Sequence, residues 1–302
     1  MSTRMRHRTA LVTGGTDGVG KEIARGLASQ GLQVILVGRN HAKGAAAERH
    51  LRSTTNNPHV KFLQADLSLM RQVHRLADAV TARWPELHYL VHSAGIVRGR
   101  RMMTDEGIES NFAVNYLARF ALTDWLLPLL QAGAHPDQAA RVLLVSGAAQ
   151  GGRFYFEDVN LGTNYSTLRA VLQSCQANDL FTLEQAGRLA CDSSPPRIVI
   201  NCLKLGVVKT NIRHDFPWWM KVFVPLVLDP LLGQTPSQAA EPALRLLLAD
   251  EFEPVTGALF TKIQKFKQLA PRATDRTDAR RLWQLSERMV ATALSRVAVA
   301  AE

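Results

Sequence analysis

A chain of 302 residues, 46% of them hydrophobic, is long enough for one α/β domain or two smaller ones, and no segment has a disordered composition. The formal net charge of +10 favours an acidic ligand. Because the basic residues are spread along the chain without a recognition motif, we expect a nucleotide rather than a nucleic acid. Three cysteines without CxxC spacing argue against a disulfide framework and favour a reducing, cytoplasmic location, and the N-terminus lacks the apolar stretch of a signal peptide.

Short apolar runs alternate with helical patterns along the chain, which is typical of a parallel sheet with crossover helices. The predicted strands cover 8–14, 32–38, 60–66, 87–93, 141–147, 197–203 and 256–262. The predicted helices cover 69–80, 105–131 (one long helix or a pair), 166–190, 236–250 and 280–294. The strands are continuously apolar, which indicates that both faces of the sheet are buried. With no linker and no repeat, we predict a single α/β domain over 1–302, with a doubly wound parallel sheet of about seven strands.

The first predicted strand runs directly into "TGGTDGVG", residues 13–20, and a helix face follows. Glycines let the backbone approach a pyrophosphate, and the helix N-terminus supplies N–H donors and a positive dipole. The spacing G-x-x-x-G-x-G differs from the general dinucleotide fingerprint, and a plain tight turn is the alternative. In this context the turn predicts a Rossmann fold. The residues expected to bind the cofactor here are Gly14, Thr16, Asp17, Gly18, Val19 and Gly20.

Two further positions indicate which dinucleotide is bound. Arg39, beside Asn40, follows the second strand, where a carboxylate would bind the ribose hydroxyls of NAD. An arginine there favours the 2′-phosphate of NADP(H), although a solvated arginine at a strand end is the alternative. Asp66, beside Leu67, follows the third strand and can accept a hydrogen bond from the adenine amine. It can equally be the N-cap of a helix that starts at Ser68.

With "TGGTDGVG", "ADLS" and "HSAG" (92–95) in this order, the chain resembles the short-chain dehydrogenase/reductase family and, within it, the retinol-dehydrogenase-like branch. The segments "NFAVNYLARFALT", "RVLLVSG", "ANDLFTLEQAGRL" and "GVVKT" extend the likeness over nearly the whole chain. The resemblance implies further cofactor contacts at Ser93, Ala94, Gly95, Gly206, Val208 and Thr210.

The resemblance also implies a degenerate catalytic site. The family uses Asn, Ser, Tyr and Lys; Asn115 matches the first, but the other three positions fall on Gly147, Val171 and Cys175. Ser146 and Lys204 are the remaining candidates for chemistry, Lys204 through a pKa depressed in a water-poor pocket, although a surface lysine or one that binds a cofactor phosphate is the alternative we favour. Tyr155 and Tyr165 lie upstream without a lysine four residues on. Cys175 is either a nucleophile or, as we favour, a small buried hydrophobe.

We expect a substrate lid at 205–235. The stretch 216–232 is strongly apolar, but Lys221, Asp229 and three prolines exclude a membrane-spanning helix. Its aromatic side chains would wrap a lipophilic molecule, with shallow membrane contact or ordinary core as alternatives. These lid residues are Phe216, Trp218, Trp219 and Phe223.

Three hypotheses follow for the function. The first is an atypical NADP(H)-dependent oxidoreductase acting on a bulky lipophilic substrate, polycyclic or isoprenoid, without the usual Ser, Tyr and Lys. The second is a non-redox cyclase, isomerase or dehydratase of a natural-product pathway on the same scaffold. The third is a non-catalytic NADP(H)-binding protein. No metal is expected, and the resemblance implies a homodimer or homotetramer that pairs through 105–131 and 166–190.

Overall fold

A computed structural model of the chain describes residues 8–149, 152–191, 197–206, 208, 233–265 and 271–299. The lid predicted at 205–235 lies outside these residues except at its two ends. The predicted cofactor contact Thr210 and the predicted lid residues Phe216, Trp218, Trp219 and Phe223 also lie outside them. None of the helices in the described ranges combines the length and the apolar character that crossing a bilayer requires.

The described strands form one sheet in the order β3-β2-β1-β4-β5-β6-β7-β8. They are β1 (Thr9–Thr13), β2 (Gln33–Gly38), β3 (Val60–Gln64), β4 (Tyr89–His92), β5 (Ala140–Gly147), β6 (Ile198–Leu205), β7 (Leu259–Thr261) and β8 (Gln264–Lys265). The first seven are parallel, which confirms the predicted Rossmann-type sheet. β8 was not predicted; it is a two-residue strand antiparallel to β7.

Helices cover both faces of the sheet. They are α1 (Gly18–Ser29), α2 (His41–Thr55), α3 (Met70–Thr81), α4 (Ser110–Phe112), α5 (Ala118–Trp125), α6 (Leu127–Gly133), α7 (Thr167–Cys191), α8 (Pro236–Leu248) and α9 (Arg276–Val299). The predicted helices at 69–80, 166–190, 236–250 and 280–294 correspond to α3, α7, α8 and α9.

Two apolar layers hold the helices to the sheet. Successive β1 residues point to opposite sides, so that Leu11 joins one layer and Val12 the other. Ile23 of α1 packs in the Val12 layer, whereas Phe120 of α5 and Phe181 of α7 pack in the Leu11 layer. Burial of each such side chain contributes about 1.5–3 kcal/mol relative to exposure, so the layers fix where the helices begin.

The predicted helix at 105–131 is interrupted. It starts only at Ser110, where the Glu109 carboxylate accepts a hydrogen bond from the Phe112 amide (2.9 Å). A π-helical turn over Ala113–Leu117 separates α4 from α5, and a further break at Leu126 separates α5 from α6. The widened π turn contains Asn115, the first of the predicted catalytic residues.

The strand order reverses between β1 and β4, the point at which open α/β sheets bind ligands beyond the carboxyl ends of their strands. The carboxyl ends of β1, β4, β5 and β6 are Thr13, His92, Gly147 and Leu205. The segments that follow these four residues therefore border a common crevice.

Candidate active site

A cleft of about 690 Å³ opens at this edge of the sheet, a volume typical of small-molecule and cofactor sites. Fifteen of the predicted cofactor contacts line it: Gly14, Thr16, Asp17, Gly18, Val19, Gly20, Arg39, Asn40, Asp66, Leu67, Ser93, Ala94, Gly95, Gly206 and Val208. Five of the predicted catalytic positions line it as well: Asn115, Ser146, Gly147, Val171 and Cys175. The fold thus brings the two predicted sets together in one cavity.

The glycine turn forms a cradle that larger residues would fill. Gly14 has φ +68°, and a Cβ on it would lie 2.8 Å from the Ala94 Cα. Gly18 also has a positive φ of +52° and begins α1. The Asp17 carboxylate accepts from the Gly18 amide (2.8 Å) and caps the helix. A helix N-terminus that borders the cleft behind a close-packed glycine turn is the arrangement that accepts a pyrophosphate.

The cleft is basic beside the carboxyl end of β2. Arg39 is exposed there, and Lys43 of α2 lies nearby in an ion pair with Asp17. The Asn40 side chain is engaged as the N-cap of α2, because it accepts from the Lys43 amide (2.9 Å). Two cations at this position suit a phosphate group better than an unphosphorylated ribose.

Asp66 lines the cleft and also has a local structural role. Its Oδ1 accepts from the amide (2.9 Å) and the hydroxyl (2.7 Å) of Ser68. The expectation that Asp66 caps a helix beginning at Ser68 is wrong in its geometry, because α3 begins at Met70. The buried Glu106 carboxylate instead accepts from the Met70 amide (2.5 Å), so the helix is capped by a residue distant in sequence.

Asn115 acts on the backbone beside the cleft. Its Oδ1 accepts from the Ile96 amide and its Nδ2 donates to the Ile96 carbonyl, both at 2.8 Å. The Asn115 carbonyl accepts from Asn178 Nδ2 of α7 (2.9 Å). The structure therefore shows Asn115 fixing the loop after β4 to the π turn and to α7.

The reaction end of the cleft has a small, apolar wall. Gly147 ends β5, and Val171 and Cys175 lie on α7 one turn apart. The Cys175 thiol donates to the Gly147 carbonyl at 3.8 Å, and a Cβ on Gly147 would lie 3.1 Å from the sulfur. The serine, tyrosine and lysine positions implied by the resemblance thus face the same space.

Neither upstream tyrosine reaches this wall. Among the described residues no tyrosine lines the cleft. The Tyr165 hydroxyl donates to the Arg98 carbonyl (2.8 Å) and accepts from Asn111 Nδ2 (3.0 Å), and burial raises its pKa to about 12. The Tyr155 ring lies between the guanidinium groups of Arg153 and Arg169, 5.4 Å from each.

Lys204 does not line the cleft. Its ammonium forms a buried ion pair with Asp179 of α7 and donates to the Ala149 carbonyl (3.0 Å). Burial pushes the pKa of Lys204 down, but Cys202 and Asp179 outweigh it and the pKa is raised overall. The expected depression of this pKa is therefore corrected: Lys204 is the buried, charged partner of Asp179 and does not line the cavity.

Arg119 is a cleft residue that the sequence analysis missed. It lies on α5, one helical turn beyond Asn115, and is 5% exposed. Its guanidinium donates to the carbonyls of Ala94 (2.8 Å) and Val145 (2.9 Å) and to Asn178 Oδ1 (3.3 Å). A cation within the otherwise apolar "NYLARFALT" was the available signal, because buried charges are rare without a specific reason.

Comparison with known proteins identifies the family. The family model for short chain dehydrogenases matches residues 8–220. The chain is 34% identical over 293 residues to retinol dehydrogenase 13 of Mus musculus, covering 95% of this chain and 85% of that protein. It is 32% identical over 264 residues to the polyprenol dehydrogenase of Homo sapiens, covering 87% and 79%.

Solved structures agree with this result. An uncharacterized protein of Mycobacterium paratuberculosis superposes with a TM-score of 0.73 at 29% identity, covering 94% of this chain and 93% of that one. Pseudomonas aeruginosa RhlG in complex with NADP superposes with a TM-score of 0.67 at 25% identity, covering 84% and 94%. The resemblance inferred from the motifs is thereby confirmed: the chain belongs to the short-chain dehydrogenase/reductase family, in its retinol-dehydrogenase-like branch.

Proposed function

We propose that the protein is an NADP(H)-dependent oxidoreductase that acts on a bulky lipophilic substrate, polycyclic or isoprenoid, whose reduction needs little proton transfer from the protein. The proposal rests on one observation: the glycine turn and the apolar wall formed by Gly147, Val171 and Cys175 line the same cleft.

The cofactor assignment rests on the fit of the cleft. The backbone of the glycine turn leaves space that a Cβ on Gly14 would remove, and α1 begins there. Arg39 and Lys43, the latter paired with Asp17 of the glycine turn, supply positive charge beside that turn. Two related structures are complexes with NADP or NADPH, at 25% identity each. When bound, NADPH supplies a hydride to a substrate carbon.

The substrate class follows from the wall. Val171, Cys175 and Gly147 offer carbon, sulfur and a bare backbone to the substrate, so binding there is driven by burial of apolar surface. Retinol and polyprenol, named in two of the relatives, are isoprenoid alcohols. An isoprenoid or polycyclic skeleton is the ligand that suits such a wall.

The reaction class follows from what the wall lacks. A positioned general acid contributes roughly 10²–10⁴-fold to such reactions, and no tyrosine provides one among the described cleft residues. Holding donor and acceptor carbons together is still worth about 7–11 kcal/mol. Quinones and activated enones accept hydride to give delocalised anions that water can protonate, whereas simple ketones need a proton during transfer. We therefore expect the first two classes to react and simple ketones to react poorly.

The same wall favours a second candidate function, a non-redox cyclase, isomerase or dehydratase of a natural-product pathway. A cavity whose substrate end has an apolar wall can act by binding one reactive conformation of a substrate. In that case the cofactor is structural. A cytoplasmic location and a homodimer or homotetramer, paired through the helices within 105–131 and 166–190, stay predictions.

The deciding experiment follows the label from 4-deuterated NADPH. The protein is titrated with NADPH and NADH by fluorescence, then incubated with matched pairs of lipophilic substrates, each an enone or quinone beside the saturated ketone. Deuterium on carbon in the enone product, or oxidation of NADPH in step with conversion of the quinone, whose hydroxyl hydrogens exchange with water, supports the proposal when the ketone reacts at least tenfold more slowly. Conversion with neither label nor oxidation of NADPH supports the non-redox function. Tight NADPH binding without any conversion would leave a non-catalytic binding protein.

A further inference from the structure

We propose that Arg119 holds the nicotinamide half of the bound cofactor and that its charge makes the site prefer NADPH to NADP+. The inference rests on the proposed NADP(H) binding and deepens it. It concerns a residue that motif matching did not single out.

Arg119 lies where the two halves of the cleft meet. One of its acceptors, the Ala94 carbonyl, belongs to the segment 93–95 that borders the glycine turn. A second, the Val145 carbonyl, lies two residues before Gly147, and a third, Asn178 Oδ1, lies three residues after Cys175. Three elements thus hold the guanidinium at the boundary between the cradle and the wall.

The guanidinium has donors to spare. It carries five N–H groups, and the three acceptors above use two on Nη1 and one on Nη2. Nε has no hydrogen-bond partner among the described residues. One N–H on Nη2 is therefore also left for a ligand in the cleft.

The charge of Arg119 is buried without a counter-ion. All three acceptors are neutral oxygen atoms, and within the described ranges no carboxylate forms an ion pair with Arg119. Burial lowers its pKa to about 10, which still leaves it charged at neutral pH. An uncompensated buried cation is costly to the protein alone, so a ligand rich in acceptor oxygens is favoured there.

The other cleft cations do not act at this point. Arg39 and Lys43 lie at the adenosine end, and Arg98 is on a partly exposed loop. A dinucleotide whose pyrophosphate occupies the glycine turn and whose phosphorylated ribose reaches Arg39 directs its remaining half toward Arg119. The acceptor oxygens of that half are the hydroxyls of the second ribose and the carbonyl of the nicotinamide carboxamide.

A fixed cation at this position distinguishes the two oxidation states of the cofactor. The oxidised ring is positively charged and the reduced ring is neutral, so Arg119 repels only the former. Two like charges a few ångströms apart in a partly buried site repel each other strongly. This repulsion is enough to change the ratio of the NADPH and NADP+ dissociation constants by about tenfold or more.

The test measures the dissociation constants of NADPH, NADP+ and 2′,5′-ADP, which lacks the nicotinamide half, for the wild type, Arg119→Met and Arg119→Lys. We expect Arg119→Met to raise the dissociation constant of NADPH about tenfold relative to that of NADP+. The dissociation constant of 2′,5′-ADP should stay within about twofold of the wild-type value. Arg119→Lys, which keeps the charge, is expected to retain the preference for NADPH. Near-ultraviolet circular dichroism and urea unfolding verify that each variant is folded.

Arg141→Met is the matched control. Arg141 is 3% exposed, lies at the opposite end of β5, donates to the backbone carbonyls of Leu246 and Ala249 and, unlike Arg119, has a carboxylate partner within the described ranges, Glu253. Its replacement is expected to lower stability without changing the ratio of the NADPH and NADP+ constants.

Two outcomes would overturn the inference while leaving the proposed function standing. One is an Arg119→Met protein that loses affinity for all three ligands equally, which would show a purely structural arginine. The other is an unchanged NADPH to NADP+ ratio. If the wild type binds neither NADPH nor NADP+, the proposed function and this inference fail together.

Discussion

A methyl group added at Gly147 should destabilise the protein because of the sulfur opposite it. The new Cβ would lie 3.1 Å from Cys175 Sγ, a few tenths of an ångström inside ordinary van der Waals contact. Cys175 is 5% exposed and is held by its hydrogen bond to the Gly147 carbonyl, so the sulfur cannot move freely away. Overpacking of this kind costs about 1–3 kcal/mol, and we expect Gly147→Ala to fall in the lower half of that range.

The Cys175→Ala background should remove most of this cost. Cys175→Ala by itself loses a small buried group and costs about 1 kcal/mol. If the two side chains compete for one space, the double variant is more stable than the sum of the single changes by about 1 kcal/mol. Urea unfolding of the four proteins gives the coupling energy directly. Additivity within about 0.5 kcal/mol would refute the steric explanation.

Gly206→Ala is the control for glycine replacement in the same cleft. Gly206 also lines the cavity, but a Cβ there would have no atom of the described residues within 4 Å. Its replacement should change the free energy of unfolding by less than about 1 kcal/mol, in either background. A larger change at Gly206 would mean that backbone entropy, and not the contact with sulfur, governs the Gly147 result.

The charge of Arg119 limits any attempt to restore the full set of catalytic side chains. Val171→Tyr, Cys175→Lys and Gly147→Ser together would recreate the missing side chains, but the new lysine would stand near the Arg119 cation, which interacts electrostatically with position 175. We expect the triple variant to reduce simple ketones only weakly. At saturating NADPH, which offsets the weaker cofactor binding, the addition of Arg119→Gln should raise that rate at least threefold by removing like-charge repulsion. Ketone reduction assays with NADPH compare the two variants; equal rates would contradict the electrostatic reasoning.

Three further outcomes are expected. Arg39→Ala should weaken NADPH about tenfold or more while leaving NADH within twofold, because one charge-assisted contact to the 2′-phosphate is lost; equal losses in the two titrations would exclude that contact. Burial lowers the pKa of His88 from 6.5 to about 4, so this group contributes stability above pH 6.5 that is lost as the pH falls toward 4, by about 1.4 kcal/mol per unit. His88→Asn, whose Oδ1 can accept from the Thr9 amide as Nδ1 does, should flatten that slope in urea unfolding measured from pH 7 to 4. Lys204→Met should cost about 3–5 kcal/mol by leaving Asp179 buried without its partner, whereas Lys204→Met with Asp179→Leu should cost much less, as unfolding midpoints will show.

The fold and one half of the cleft were predictable from local sequence. Largely apolar runs identified each parallel strand, because burial on both faces leaves few polar positions in the central strands. The glycine turn was equally visible, since the positive φ at Gly14 and Gly18 strongly favours glycine. These features are local in the chain, so neighbouring residues suffice to recognise them.

The features that escaped prediction depend on contacts between distant segments. The π turn around Asn115 exists together with hydrogen bonds to Ile96 and Asn178, which lie far along the chain. Lys204 reads as a free cation until α7 brings Asp179 against it. Arg119 lies in the cleft because its guanidinium binds carbonyls near the ends of β4 and β5. The residue pattern of its own helix does not indicate these contacts.

The loop that follows β4 is tied down along its length. The Thr13 carbonyl and hydroxyl accept from the amides of Ser93 and Ala94, Asn115 pairs with the backbone of Ile96, and Asn111 and Tyr165 bind the backbone of Arg98. Ordering a free loop on ligand arrival costs about 1–2 kcal/mol for each residue that is immobilised. Because this loop is already ordered, cofactor binding should cost little conformational entropy in it, which calorimetry can measure. This loop is therefore preorganised for the cofactor, and any conformational change on binding must come from another part of the molecule.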